Sequence, residues 1–286
     1  MGSPRTGLLV LDFDGTMTDA ELEGAPFRQG YLEDIASLVD RPYAEVDALA
    51  VAFEAEVAAN PGAHGWIFLD RIVAPAGVDP YLRMMPVARR ILDHFGCLQN
   101  ALDRSRVLDA ILYKYNYQKT EDAPRPGAGA LLRHLSSAPV YIVTNSHTDA
   151  VQRKVRAMGV EPDGGANALE WLAQRVHGRA KKYFIDDAFD AVPAELHLPG
   201  LERPVLLRRR HYFDVLDTLR RAEGAEWSEV LVVGDIFELD LALPFALGAR
   251  VALVVNAFTP PWERAFLADH PRGSLITRVE QLAALV

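Results

Sequence analysis

The sequence predicts an α/β fold, a doubly wound Rossmann-like parallel sheet interrupted by an inserted all-helical domain. Short apolar runs without polar alternation recur along the chain, as in strands buried on both faces of a parallel sheet. Amphipathic segments of helical length separate these runs and complete βαβ units. Residues from about 20 to 120 instead carry helical spacing throughout.

In chain order, Leu8 to Leu11 is the first apolar run, and it ends at Asp12. The insertion follows. Tyr43, Val46, Leu49, Phe53 and Val57 recur at helical spacing, as do Leu82, Met85, Val87, Ile91 and Leu92, and then Leu98, Leu102, Val107, Ile111 and Tyr115. Pro124-Arg125-Pro126-Gly127 is a natural re-entry linker. The expected division is therefore a core of residues 1–18 with 122–286, and a helical domain of residues 19–121. Beyond the linker, a helix is predicted from Ala128 to Leu135 and a strand over Val140 to Val143. A helix over Thr148 to Met158 stops at Gly159, a suitable C-cap. Tyr183 to Ile185 reads as a weak strand and Val205 to Leu207 as a stronger one. Tyr212 to Ala222 is helical, Val230 to Val233 a strand, Leu239 to Leu247 a helix ending at Gly248, and Val251 to Val255 the last strand.

Composition narrows the function. The 286 residues carry a formal charge of −9, are 50% hydrophobic and 24% charged, and include one cysteine. That apolar fraction excludes a largely disordered chain. Cys97 alone cannot form an intrachain disulfide or a four-cysteine zinc site, and its isolation fits a reducing, cytoplasmic setting. The acidic balance argues against nucleic acid as a partner. The apolar stretch Leu239 to Phe258 contains Asp240, Pro244 and Arg250, which argues against a membrane span. Gly2 and Thr6 fit an acylation pattern, but one too short to carry weight.

Three strand ends carry the chemistry. Asp12-Phe13-Asp14-Gly15-Thr16 follows the first strand, and ligands of open α/β sheets bind outside the carboxyl ends of strands. Two carboxylates at a strand end can reach one site, and Gly15 permits close approach, although Asp14-Gly15 is also ordinary turn chemistry. Gly234-Asp235 and Asp240 follow another strand, where they equally suit an N-cap and a first helical turn. Thr144-Asn145-Ser146 ends a third, and could likewise begin a helix.

In combination and order, these motifs resemble the haloacid dehalogenase superfamily of hydrolases. The resemblance covers residues 7–18 and about 125–286, and it makes the helical insertion similar to that family's C1-type cap. It implies that Asp12 is the nucleophile of an aspartyl-phosphate mechanism and that Asp14 is the general acid and base. It further implies a Mg²⁺ site formed by Asp12, Asp14 (through its carbonyl), Asp235 and Asp240, with Asp240 acting through water or by holding the basic residue. Gly15, Thr16, Thr144 and Asn145 are the expected phosphate-binding residues. The acid at Asp14 and the metal aspartate Asp235 argue against carbon–phosphorus and carbon–halogen cleavage.

The sequence departs from the family where a lysine is expected before the fourth motif. That window holds Arg208, Arg209 and Arg210. Arg208 is the favoured replacement, serving catalysis and phosphate binding, because it directly follows the predicted strand end. Lys181 and Lys182 are the rivals for this role, although they precede the weak strand at Tyr183, a placement at its amino end and away from the site. In the insertion, Trp66, Phe68, Tyr113 and Tyr117 are aromatic residues without an assigned role. The expected function is a Mg²⁺-dependent phosphohydrolase of a small phosphorylated metabolite, working as a monomer or homodimer without a membrane partner. A sugar-phosphate phosphomutase and a non-catalytic binding or regulatory protein are the alternatives, the latter supported by the missing lysine.

Overall fold

The computed structural model describes residues 6–116, 122–161 and 165–286. Gly2 and Tyr117 lie outside them. The chain forms two compact units, Met1–Asp19 with Pro124–Val286, and Ala20–Ala123.

Strand β1 (Leu8–Leu11) opens the first unit. The second unit contains α1 (Ala20–Val39), α2 (Tyr43–Ala59), β2 (Gly65–Phe68), β3 (Arg71–Pro75), α3 (Pro80–His94) and α4 (Ala101–Asn116). The first unit resumes with α5 (Ala128–His134), β4 (Val140–Val143), α6 (Thr148–Met158), α7 (Glu170–Ala173), β5 (Val176–His177), β6 (Glu195–Leu196) and β7 (Val205–Leu206). It ends with α8 (Arg210–Ala222), β8 (Val230–Gly234), a π-turn at Phe237–Leu241, α9 (Ala242–Ala246), β9 (Arg250–Val254), α10 (Pro261–Ala268) and β10 (Gly273–Ile276).

Six strands form one parallel sheet in the order β10-β9-β8-β1-β4-β5. Side chains alternate between its faces. Leu8 and Val10 of β1, Val230 and Val232 of β8, and Val251 and Leu253 of β9 face a core completed by Tyr212, Leu216 and Leu219 of α8. Leu9, Leu11, Leu231, Val233, Ala252 and Val254 face the opposite core, with Leu131 and Leu132 of α5 and Val151 and Val155 of α6. Burial on both sides explains why these strands read as unbroken apolar runs.

Two predicted strands differ. Val205–Leu206 pairs antiparallel with Glu195–Leu196, outside the main sheet. Tyr183 to Ile185 forms no strand, because the backbone of Lys182 just before it is held by side chains rather than by a neighbouring strand. The sheet's edges are instead β5 and β10, whose short or partly exposed segments lack an apolar run.

The second unit is not all-helical. Phe27, Tyr31, Val46, Met84, Ile91 and Leu108 build its helical core, but β2 and β3 form an antiparallel hairpin. Leu69 and Asp70, at φ 47° and 60°, make the two-residue turn, and positive φ at both positions matches the right-handed twist of the flanking strands. The aromatic and β-branched residues Trp66, Ile67, Phe68, Ile72 and Val73 favour this pairing. Trp66 also lines a cavity of about 1040 Å³ within this unit, together with Phe53, Tyr81, Met85 and Arg89. Tyr113 is exposed.

Candidate active site

The sheet order places β8, β1 and β4 side by side. Leu11 is in register with Val233 on one side and Ile142 on the other. The residues that follow these strands, Asp12, Asp235 and Thr144, therefore emerge together at the carboxyl edge. All three are buried, with Asp12 8% exposed.

Carboxylate oxygens of Asp12, Asp235 and Asp240 lie within 4.8 Å of one another. The Thr16 hydroxyl bridges two of them, 3.0 Å from Asp12 Oδ2 and 3.2 Å from Asp235 Oδ1. Close approach requires Gly15: it sits at φ 82°, and a Cβ there would lie 2.2 Å from Asp235 Oδ2. Asp240 enters through the π-turn, a local widening of helix that is frequent at functional sites. Its Oδ2 accepts from the Ile236 amide at 3.0 Å.

The cation of this cluster is Lys182. Its Nζ donates to Asp12 Oδ1 at 2.6 Å and to Asp240 Oδ1 at 2.8 Å, and the side chain is 1% exposed. Arg208, expected in this role, instead donates to the Asp187 carbonyl, and Arg210 pairs with Asp214 on the surface. Arg209 is buried, but donates to the carbonyls of Leu206 and Lys182. Lys182 reaches the site because residues 178–182 run beside the loop after β4 as irregular chain. Gly178 N–H donates to Thr148 Oγ1, Arg179 N–H to the Ser146 carbonyl, Ala180 N–H to the Thr144 carbonyl and Lys182 N–H to Asn145 Oδ1.

Electrostatics follow from burial. Desolvation pushes the Asp12 carboxyl up to about 7, against the pull of Lys182 and with help from Asp240 and Asp14. Burial works against the Lys182 ammonium, yet Asp12 and Asp240 outweigh it and hold the lysine above its ordinary range. The two effects agree: two carboxylates and one ammonium leave a buried negative charge, which a proton on Asp12 relieves.

That imbalance bears on a metal. Asp12, Asp235 and Asp240 carry three negative charges when ionised and Lys182 one positive, leaving two for a divalent cation to cancel. The donors are hard oxygens, which suit Mg²⁺. Asp12 and Asp235 are the fitting carboxylates. Asp240 has one oxygen on Lys182 and the other on Ile236 N–H, so its place is to hold the lysine.

Asp14 points elsewhere. Its carboxylate accepts from Ser146 Oγ at 2.6 Å and from Lys154 Nζ at 2.9 Å. Thr144 Oγ1 accepts from the Ser146 amide, which leaves its own proton available. The expected contribution of Gly15 N–H to anion binding is not available, because it donates to Thr18 Oγ1 at 3.1 Å. Asn145 Oδ1 is likewise engaged with Lys182 N–H. The amides of Phe13, Asp14 and Asn145 donate no hydrogen bond among the described residues, so these are the backbone donors open to an anion beside Asp12. Arg125 secures the loop through Nε and Nη2, at 3.2 and 2.8 Å from the Gly15 carbonyl.

A parallel sheet with a buried acid–lysine cluster and backbone amides at its carboxyl edge defines an α/β protein with an enzyme-like acidic site. A family profile of haloacid dehalogenase-like hydrolases matches residues 6–244, and the chain belongs to that family. Among solved structures, a predicted phosphoglycolate phosphatase from Haemophilus somnus 129pt is similar over 99% of each chain, with 13% identity and a TM-score of 0.56. A haloacid dehalogenase-like protein of unknown function from Agrobacterium tumefaciens str. C58 is similar over 98% of this chain and 96% of its own, with 15% identity and a TM-score of 0.51. At such identities these likenesses speak for the fold. No curated protein matches the chain. Among the described residues, no helix is long and apolar enough to cross a membrane.

Proposed function

We propose that this hydrolase cleaves small phosphomonoesters with Mg²⁺, through a phosphoryl group carried on Asp12. The observation behind this reading is the Asp12 carboxylate, paired with buried Lys182 at 2.6 Å beside the amides of Phe13, Asp14 and Asn145, which donate no hydrogen bond among the described residues. A phosphoryl group needs an in-line nucleophile and positive or hydrogen-bonding groups on its peripheral oxygens. Asp12 supplies the first. Lys182, the three amides and the Thr144 hydroxyl supply the second.

In the first step an Asp12 carboxylate oxygen bonds to phosphorus, and the phosphorus–oxygen bond to the leaving alcohol breaks. Asp14 gives the departing oxygen its proton. In the second step Asp14 takes a proton from water, whose oxygen bonds to phosphorus and releases the Asp12 carboxylate and inorganic phosphate. Ser146 and Lys154 set where the Asp14 carboxylate rests before substrate arrives. Mg²⁺, held by Asp12, Asp235 and the Asp14 carbonyl, supplies charge neutralisation around the anionic substrate.

Buried Lys182, paired with Asp12 and Asp240, speaks against a non-catalytic reading, whose support was a missing lysine. The test is a panel of phosphomonoesters with Mg²⁺, run on the native protein and Asp12→Asn. Phosphate release by the native protein alone, with the variant still folded, is the expected result. Equal release by both would refute Asp12 as nucleophile.

A further inference from the structure

Lys182 is gripped from both sides of its backbone. Its N–H donates to Asn145 Oδ1 at 2.8 Å, and its carbonyl accepts from Arg209 Nη1. The preceding Lys181 is held at φ 48°, and Arg179, three residues before Lys182, at φ 55°. Both lie in the left-handed region, which non-glycine residues occupy only when their surroundings impose it. Without a strand ladder, these hydrogen bonds and the alignment along Thr144 to Thr148 are what hold the segment.

Arg209 is the larger of the two grips. Its side chain is fully buried, an unusual place for a guanidinium. Besides Lys182, its Nε donates to the Leu206 carbonyl at 3.0 Å, tying the lysine segment to β7. Burial pulls its guanidinium down to about 10, against the neighbouring charges of Glu238 and Asp240, which favour the cation. Glu238 is itself buried and takes both its hydrogen bonds from Arg203 at 2.7 Å. Tyr212, in the first turn of α8, donates to the Asp240 carbonyl at 2.9 Å. The start of α8 thus braces both ends of the Lys182–Asp240 ion pair, one through Arg209 and the other through Tyr212.

We infer that Arg209 is a positioning residue: it holds the Lys182 backbone so that the ammonium stays seated between Asp12 and Asp240. Its catalytic consequence rests on the phosphohydrolase reading above, whereas its effect on the seating of Lys182 does not. Arg209 donates to the Lys182 and Leu206 carbonyls, so it acts on the ammonium through the position of the lysine backbone. Displacement of a reacting group by about 1 Å can cost a factor of about 100 in rate.

The experiment compares native protein, Arg209→Met, Arg209→Lys and the core truncation Leu216→Ala in α8. Two readouts are taken at a temperature where each is folded. The first is acylation of Lys182 by a water-soluble amine reagent, followed by peptide mapping. The second is kcat and KM with p-nitrophenyl phosphate and Mg²⁺. In native protein and Leu216→Ala, Lys182 should stay unlabelled, because it is 1% exposed. In Arg209→Met it should label at least tenfold faster, and kcat should fall roughly 10- to 100-fold with less change in KM. Arg209→Lys can replace one donor but not both, so its losses should be smaller than those of Arg209→Met. Unchanged labelling and kcat in Arg209→Met would overturn the inference, as would equal labelling in Leu216→Ala. Should Arg209→Met not fold, Arg209→Lys decides, and native values in both readouts would overturn the inference. If native protein releases no phosphate while Lys182 still becomes exposed in the Arg209 variants, the phosphohydrolase reading fails and the positioning of Lys182 stands.

Discussion

Replacing Lys182 with methionine separates the two candidate cations directly. Methionine keeps much of the side-chain length but leaves Asp12 Oδ1 and Asp240 Oδ1 without the donor they now meet at 2.6 and 2.8 Å. Breaking a buried ion pair by removing one partner typically costs about 3–5 kcal/mol. At about 2–4 °C per kcal/mol for a domain of this size, Tm should fall by roughly 6–20 °C. In EDTA the deficit should be smallest at acid pH. With the lysine gone, Asp12 loses the pull that opposes its desolvation and holds its proton more strongly in the folded than in the unfolded chain, so rising pH removes a proton that only the fold favours. Loss of one charge-stabilising group in an active site also lowers turnover by about 10²–10³-fold. Arg208→Ala is the paired control. It removes a side chain that donates to the Asp187 carbonyl, away from Asp12, and it should shift stability by no more than about 0.5 kcal/mol. Calorimetry across pH and Mg²⁺-dependent phosphatase assays on both variants provide the check. A Lys182→Met protein with native Tm and turnover, or an Arg208→Ala protein that loses turnover, would refute the assignment of Lys182.

Two further perturbations probe the surroundings. Gly15→Ala places a Cβ 2.2 Å from Asp235 Oδ2 at a φ of 82°, so Mg²⁺ affinity by isothermal titration should fall at least tenfold; native affinity would contradict the proposed metal site. Glu263 is fully buried without an ion pair among the described residues, and burial raises its pKa well above the ordinary value. The folded chain therefore holds this proton more tightly, and its stabilising effect is lost as pH rises from the unfolded pKa through the folded one. Glu263→Gln should flatten that decline and raise Tm at pH 8 relative to native protein; a larger decline in the variant would show that the carboxylate is favoured ionised.

The strands beside the site were legible because a parallel sheet demands apolar residues on both faces, and Asp12, Thr144 and Asp235 each break such a run at its end. Their meeting follows from topology, since β8, β1 and β4 are neighbours. The hairpin in the inserted unit was missed for a different reason. A search for helical spacing passes over Trp66 to Phe68 and Ile72 to Val73, and the turn between them uses leucine and aspartate at positive φ rather than the glycine or asparagine that advertises it.

Lys182 was hidden by distance along the chain. It meets Asp12 across 170 positions and Asp240 across 58, and it is delivered by irregular backbone that no periodicity reports. Yet the sequence held a sign of it. Of 30 basic residues only five are lysine, leaving 25 arginines. In so arginine-rich a chain, a lysine is most readily kept where the planar, five-donor guanidinium does not fit. Lys182 occupies such a place, a compact ammonium aimed at two carboxylates, with the Tyr212 ring centroid 5.4 Å away. Lys154 occupies another, against Asp14. Arginine does the complementary work nearby: Arg125 donates twice to the Gly15 carbonyl, and Arg209 reaches two carbonyls at once. The division is chemical, with point charges facing the carboxylates of the site and forks holding the backbone that carries them.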